Sequence, residues 1–126
     1  MKKCLVLILL LFFGFKGFSQ DTRAEYEGGN AVFAKKFMEM LYAYVDFQNY
    51  VLEGKVTYLI NIDKTGKANR IDVLPKIKNG EMFVDDSQYA LKKVKGKWKP
   101  ATKDGVAIDS KYIMKVDFKS NTYDHD

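Results

Sequence analysis

The sequence predicts an α+β fold. It is a two-layer sandwich with elements in the order αββαβ, a three-stranded antiparallel sheet in spatial order 2-1-3, and two helices on one face. Three observations predict it. Apolar residues recur at helical spacing from Asn30 to Tyr44. From Gly54 to Leu74 the period changes to two, with a turn sequence in the middle. A second helical stretch then leads through Trp98 to a last alternating run, Ser110 to Lys119.

In the first helix Phe33, Phe37, Leu41 and Tyr44 stand three and four residues apart, with Val32 and Met40 beside them. Asn30 suits the N-cap. Asp46 to Glu53 is a connector that contains aromatics. In the first strand Val56, Tyr58, Ile60 and Ile62 alternate with Lys55, Thr57, Leu59, Asn61 and Asp63. Asp63-Lys64-Thr65-Gly66 is a hairpin turn in which Gly66 supplies the positive φ. The second strand, from about Lys67 to Leu74, turns Ile71 and Val73 inward, and Pro75 ends it. After the polar loop KIKNGE a second helix is expected near Asp85, with Asp85 as N-cap and Gln88 completing a capping box. Lys92, Lys93 and Lys95 suit the negative end of that helix, and Gly96 suits its stop. The third strand sets Tyr112, Met114, Val116 and Phe118 on one face. Helix two carries the chain back, so strand three runs parallel to strand two. An antiparallel sheet therefore needs strand three beside strand one, reached by a right-handed crossover. The opposite sheet face, Thr57, Leu59, Asn61, Ile113 and Lys115, stays wet.

The ends read differently from the middle. Lys2 and Lys3 precede an uncharged apolar run from Cys4 to Phe15, and Gly17 and Ser19 are small residues before Gln20. That pattern is a signal peptide over residues 1–19, cleaved before Gln20. The alternative, a retained inner-membrane anchor, wants a longer apolar span of about 20 residues. Cleavage removes three lysines and no acid, so the formal charge falls from +5 to +2. The remaining balance gives little reason to expect nucleic acid. It also removes Cys4, the sole cysteine, and with it any thiol chemistry. Residues 20–29 are a polar leader, 30–119 the folded domain and 120–126 a polar, flexible tail.

No residue set points to an enzyme, a cofactor or a metal. The single histidine, His125, lies in the tail. Ser87, Ser110 and Ser120 have no structured histidine to activate them. Asp85 and Asp86 read as a helix start. Gly66-Lys67 lacks the flanking residues of a phosphate loop, which Asn61 and Ala68 occupy. Asp63 and Thr65 lack the ligand spacing of a calcium loop. Trp98 reads as a core plug. Lys92, Lys93, Lys95, Lys97 and Lys99 form a basic cluster, either a solvated helix end or a contact for acidic receptor segments or cell-wall polymers.

The ordered pieces resemble the TonB C-terminal domain family. The segment Tyr26-Glu27-Gly28-Gly29, the hairpin GKVTYLINIDKTG, the helix VDDSQYALKKV and the run WKPATKDG follow in the family's order, over about Tyr26 to Lys119. A Pro is missing from the first piece and the helix is spaced one residue differently. A Pro-rich linker and an anchor histidine are also missing, so receptor grip is implied and force transduction is not. The resemblance implies a stand-alone periplasmic module, a monomer or weak dimer, that engages an extended segment of an outer-membrane receptor. The docking strand would be Lys111, Tyr112, Ile113, Met114, Lys115, Val116 and Asp117, since an open sheet edge offers backbone groups to an added strand. Lys111, Lys115 and Asp117 also fit ordinary edge protection. A cell-wall-associated or structural protein that binds peptidoglycan through the basic cluster is the alternative.

Overall fold

The period-two hairpin forms the middle of the main sheet in the computed structural model, which describes residues 21–47, 54–76, 80–118 and the backbone of 122–125. The expected signal peptide, Gln20, part of the connector (48–53), part of the polar loop (77–79) and the His125 side chain lie outside the described residues. Ten elements follow in order: β1 (Glu25–Tyr26), α1 (Asn30–Tyr44), β2 (Lys55–Ile62), β3 (Ala68–Leu74), α2 (Glu81–Lys93), β4 (Trp98–Lys99), β5 (Ala101–Lys103), β6 (Val106–Ile108), β7 (Ser110–Asp117) and β8 (Thr122–His125). The main sheet runs β3-β2-β7-β8. Its first three strands have the expected 2-1-3 order, all antiparallel, with Tyr58 opposite both Val73 and Met114.

Alternation along each strand sends one side chain in two toward the helices. Val56, Tyr58, Ile60 and Ile62 are buried from β2, Ile71 and Val73 from β3, and Tyr112, Met114 and Val116 from β7. The helices answer with Phe33, Ala34, Phe37, Met38 and Leu41 from α1 and Phe83, Ala90 and Leu91 from α2. Each fully buried side chain of this size contributes on the order of 1.5–3 kcal/mol. The one buried polar side chain among the described residues, Ser87, is satisfied by the Tyr58 hydroxyl at 3.0 Å. Tyr44, expected in the core, is half-exposed, and Met38 takes an inward place.

Trp98 is the plug the sequence suggested, 5% exposed. Its ring lies 4.8 Å from Phe33, 5.2 Å from Tyr112 and 5.5 Å from Tyr26, tilted or edge-on in each case. Edge-to-face geometry adds about 0.5–1.5 kcal/mol per pair beyond burial. The hairpin turn is close to the one expected. Gly66 has φ 86°, and the Asp63 carboxylate accepts from the Thr65 and Lys67 amides at 2.9 and 3.0 Å. A Cβ at Gly66 would also strike the Trp98 carbonyl, so two separate constraints demand glycine there.

Several expectations are corrected. Asn30 is the first residue of α1 rather than its cap. Gly29 caps the helix without a side-chain hydrogen bond, and the Asn30 amide instead holds the leader. Its Oδ1 accepts from the Tyr26 amide at 2.8 Å, and its Nδ2 donates to the Ala24 carbonyl at 3.3 Å. The second helix starts at Glu81, a turn before Asp85, because the earlier start buries Phe83 completely. Strand three ends at Asp117 rather than Lys119. The leader is not merely polar chain, since Glu25–Tyr26 pairs with Trp98–Lys99 and Thr22 bridges Thr102. The stretch read as a loop after Trp98 contains the β5–β6 hairpin, closed by Asp104 and Gly105 at positive φ. Residues 122–125, placed in a flexible tail by sequence, form β8 beside β7.

Candidate functional site

The two outer strands of the β3-β2-β7 sheet differ in how their outward backbone groups are used. On β3, Gln88 from α2 reaches the edge. Its Oε1 accepts from the Ile71 amide at 2.9 Å, and its Nε2 donates to the Asn69 carbonyl at 3.4 Å. Gln88 thus does the work of a neighbouring strand, rather than the capping expected of it. Pro75 ends the same strand.

On the other side, β7 pairs with β2 along its whole length, from Ser110 opposite Ile62 to Asp117 opposite Lys55. Its outward side is covered over half that length. β8 pairs with Met114, Lys115, Val116 and Asp117, setting His125, Asp124, Tyr123 and Thr122 opposite them in turn. Among the described residues no strand covers the outward side of Ser110–Ile113. The inward residues give the edge a firm base: Tyr112, Met114 and Val116 are buried, and Tyr112 rests on Phe33 and Trp98. The outward-facing side chains are Lys111, Ile113 and Lys115, all exposed. The seven residues expected to form a docking strand therefore lie on one strand, alternating in the predicted sense, with four of them already paired to β8.

The five lysines of the basic cluster do not share one setting. Lys93 Nζ stands 4.9 Å from the Tyr89 ring centre and 5.8 Å from that of Tyr44, on the helix layer. Lys92 and Lys97 line a cleft of about 600 Å³ beside the hairpin turn, with Trp98 and Leu91 among its walls. Lys97 also borders a second depression, with Lys99, at Gly28–Gly29. Lys95 offers its carbonyl to the Tyr26 hydroxyl. Lys92, Lys97 and Lys99 thus border two clefts that share Lys97, while Lys93 lies against two tyrosine rings.

Two titratable groups are perturbed by the fold. Burial pushes the Tyr58 phenol well above its ordinary pKa, with the Ser87 hydrogen bond pulling weakly the other way. The Asp63 carboxyl is held below the usual range, first by the Thr65 hydroxyl and then by the Lys67 amide. Asp85 and Asp86 sit within α2. Among the described residues no group of His, Cys, Asp and Glu is arranged to hold a metal, and no helix is long and apolar enough to cross a membrane.

Sequence reasoning missed β8 and the Gln88 contact. Thr122 and Tyr123 are strand formers and gave a signal for the first. The second depends on how α2 lies over β3, which no local pattern specifies.

Residues 50–120 match the family model described as the C-terminal of the Gram-negative bacterial TonB protein. The match spans β2 through β7 and leaves β1, α1 and β8 outside it. No curated protein and no solved structure matches.

Proposed function

The chain belongs to the family of Gram-negative bacterial TonB C-terminal domains, and on that basis we propose that it is a periplasmic binding module. It takes up an extended segment of an outer-membrane receptor, or of a related partner, by strand addition along β7. The observation that carries this reading is the outward side of Ser110–Ile113, which has no strand beside it among the described residues. Main-chain hydrogen bonds to that side would supply affinity, and the alternating side chains of β7 would supply selectivity. Lys111 and Lys115 favour a partner with acidic residues, through contacts that weaken as salt rises. The alternative cell-wall reading draws on five lysines, of which Lys92, Lys97 and Lys99 border two clefts that share Lys97 and Lys93 lies against Tyr44 and Tyr89.

Calorimetric titration with synthetic TonB-box peptides of outer-membrane receptors tests the proposal. Binding is expected, and the double substitution Lys111→Glu with Lys115→Glu is expected to weaken it while the melting temperature holds. Binding that ignores both substitutions would move the site elsewhere. The export half of the proposal has its own test. Mass spectrometry of the protein from cells should show a chain beginning at Gln20, and an intact first residue in the inner-membrane fraction would contradict it.

A further inference from the structure

We infer that the cleft between the hairpin turn and the end of α2 is a binding site for a small organic anion, one that joins phosphate or carboxylate groups to an apolar body. Among the described residues no part of β7 lines it, so the inference stands apart from the docking reading above.

Three separate stretches of chain meet at this cleft. They are the turn with the start of β3 (65–69), the later part of α2 with the residue after it (88–94), and the approach to β4 (96–98). Its volume of about 600 Å³ falls inside the range of about 300–1,000 Å³ usual for small-molecule sites. Leu91, Val94 and Trp98 give it apolar walls, and those walls are held in place. The Trp98 amide donates to the Gly66 carbonyl at 3.2 Å, and a Cβ on Gly66 would strike the Trp98 carbonyl, so the turn and β4 lie pressed together. On the other side the Tyr26 hydroxyl donates to the Lys95 carbonyl, and a Cβ on Gly96 would strike that hydroxyl. Fixed walls reduce the ordering that a ligand must impose on binding.

Charge decides the class of ligand. Each stretch brings one lysine to the cleft: Lys67 from the turn, Lys92 from α2 and Lys97 from the approach to β4. Among the described residues no acidic side chain lines the cleft, and Lys92 and Lys97 form no ion pair. Lys67 feels the Asp63 carboxylate, but that carboxylate already accepts from the Thr65 hydroxyl and from the Thr65 and Lys67 amides. The neutral polar side chains are committed too. Gln88 bonds the β3 backbone, and Asn69 accepts from Asn61 at 2.7 Å. The lysines are therefore the groups with donors to offer, three on each ammonium. A helix end attracts cations by its dipole, which accounts for Lys92. It does not account for a lysine of the hairpin turn at the same cleft. A bare ion would leave the apolar walls unused, and a neutral apolar molecule would leave the ammonium groups unused. A phosphate monoester or a polycarboxylate with an apolar body uses both.

The test titrates the full chain with naphthyl phosphate, and separately with inorganic phosphate and naphthol as its two halves. Calorimetry reads affinity and amide chemical shifts read position. Naphthyl phosphate should bind more than about tenfold tighter than either half, since only it buries apolar area while meeting the charges. Shifts should fall on residues 66–69 and 91–98 and spare Ser110–Asp117. A naphthalene dicarboxylate titrated alongside shows whether phosphate or carboxylate is the preferred anionic group. Lys92→Gln with Lys97→Gln should weaken binding about fivefold, as expected for two exposed charge contacts, with the melting temperature unchanged. Lys95→Gln with Lys99→Gln removes the same charge from lysines that do not line the cleft, and should change affinity by less than about twofold. Equal losses in the two double variants would reduce the attraction to net charge and overturn the inference. Inorganic phosphate or naphthol binding as tightly as naphthyl phosphate would overturn it as well. So would shifts centred on β7, or no saturable binding of naphthyl phosphate or the dicarboxylate at millimolar concentration.

Discussion

The two outer strands of the β3-β2-β7 sheet solve the same problem in different ways. β3 is closed by a side chain from a packed helix, with Gln88 bonded to Asn69 and Ile71. Vacating that edge would mean moving α2, which buries Phe83, Ser87, Ala90 and Leu91. β7 is closed over half its length by β8, which pairs with no other strand among the described residues. Vacating it disturbs four residue pairs with β7 and the contact of β8 with α1. One edge is thus held by a side chain from the packed helix layer, the other by a short strand joined to β7 through residues 118–121. On the proposed reading, β7 and not β3 is the side on which a partner adds.

The largest expected effect comes from removing the base under β7. Trp98→Ala should destabilise by about 3–5 kcal/mol, as expected for a buried aromatic truncation, read from denaturant unfolding. Unchanged stability would mean that the Tyr26–Phe33–Trp98–Tyr112 cluster does not support the edge. Next, Ser87→Ala leaves the buried Tyr58 hydroxyl without its partner and should cost about 1–3 kcal/mol. The same phenol sets an alkaline limit. Its pKa is raised by folding, so its stabilising contribution is full below its ordinary pKa of 10.0 and is lost as the pH climbs from there toward the folded value. Chemical denaturation between pH 9 and 11 (a window chosen around the ordinary phenol value) should show stability falling across that range. Gln88→Ala should cost about 0.5–1.5 kcal/mol and release the Ile71 amide to hydrogen exchange while β7 amides keep their rates. Faster exchange on both edges would erase the contrast between them. Lys111→Glu with Lys115→Glu should change stability by no more than about 0.5 kcal/mol, being exposed substitutions.

The fold was legible in the sequence wherever a face had to be buried. Val56, Tyr58, Ile60 and Ile62 announce their strand by alternation, and Gly66 announces its turn by the positive φ it must supply. Phe83 was the exception. It belongs to α2, but Asp85 and Gln88 made a later start look better capped, and the burial of one ring outweighed the missing cap. The candidate site was half legible. The alternation of Lys111 to Asp117 and the strand order marked the edge, because both follow from local period and connection rules. What covers each edge was not readable. Gln88 over β3 is a placement fixed only once the helix layer and sheet have packed, whereas β8 over β7 is a short-range return of the chain that the polar composition of the tail obscured.

The central claim is that β7 accepts a strand and β3 does not. Amide chemical-shift mapping during titration with a receptor TonB-box peptide tests it most directly. The account predicts that shifts concentrate on Ser110–Asp117 and leave Asn69–Ile71 unmoved. Shifts centred on Lys92–Lys99 or on the β3 edge would contradict it.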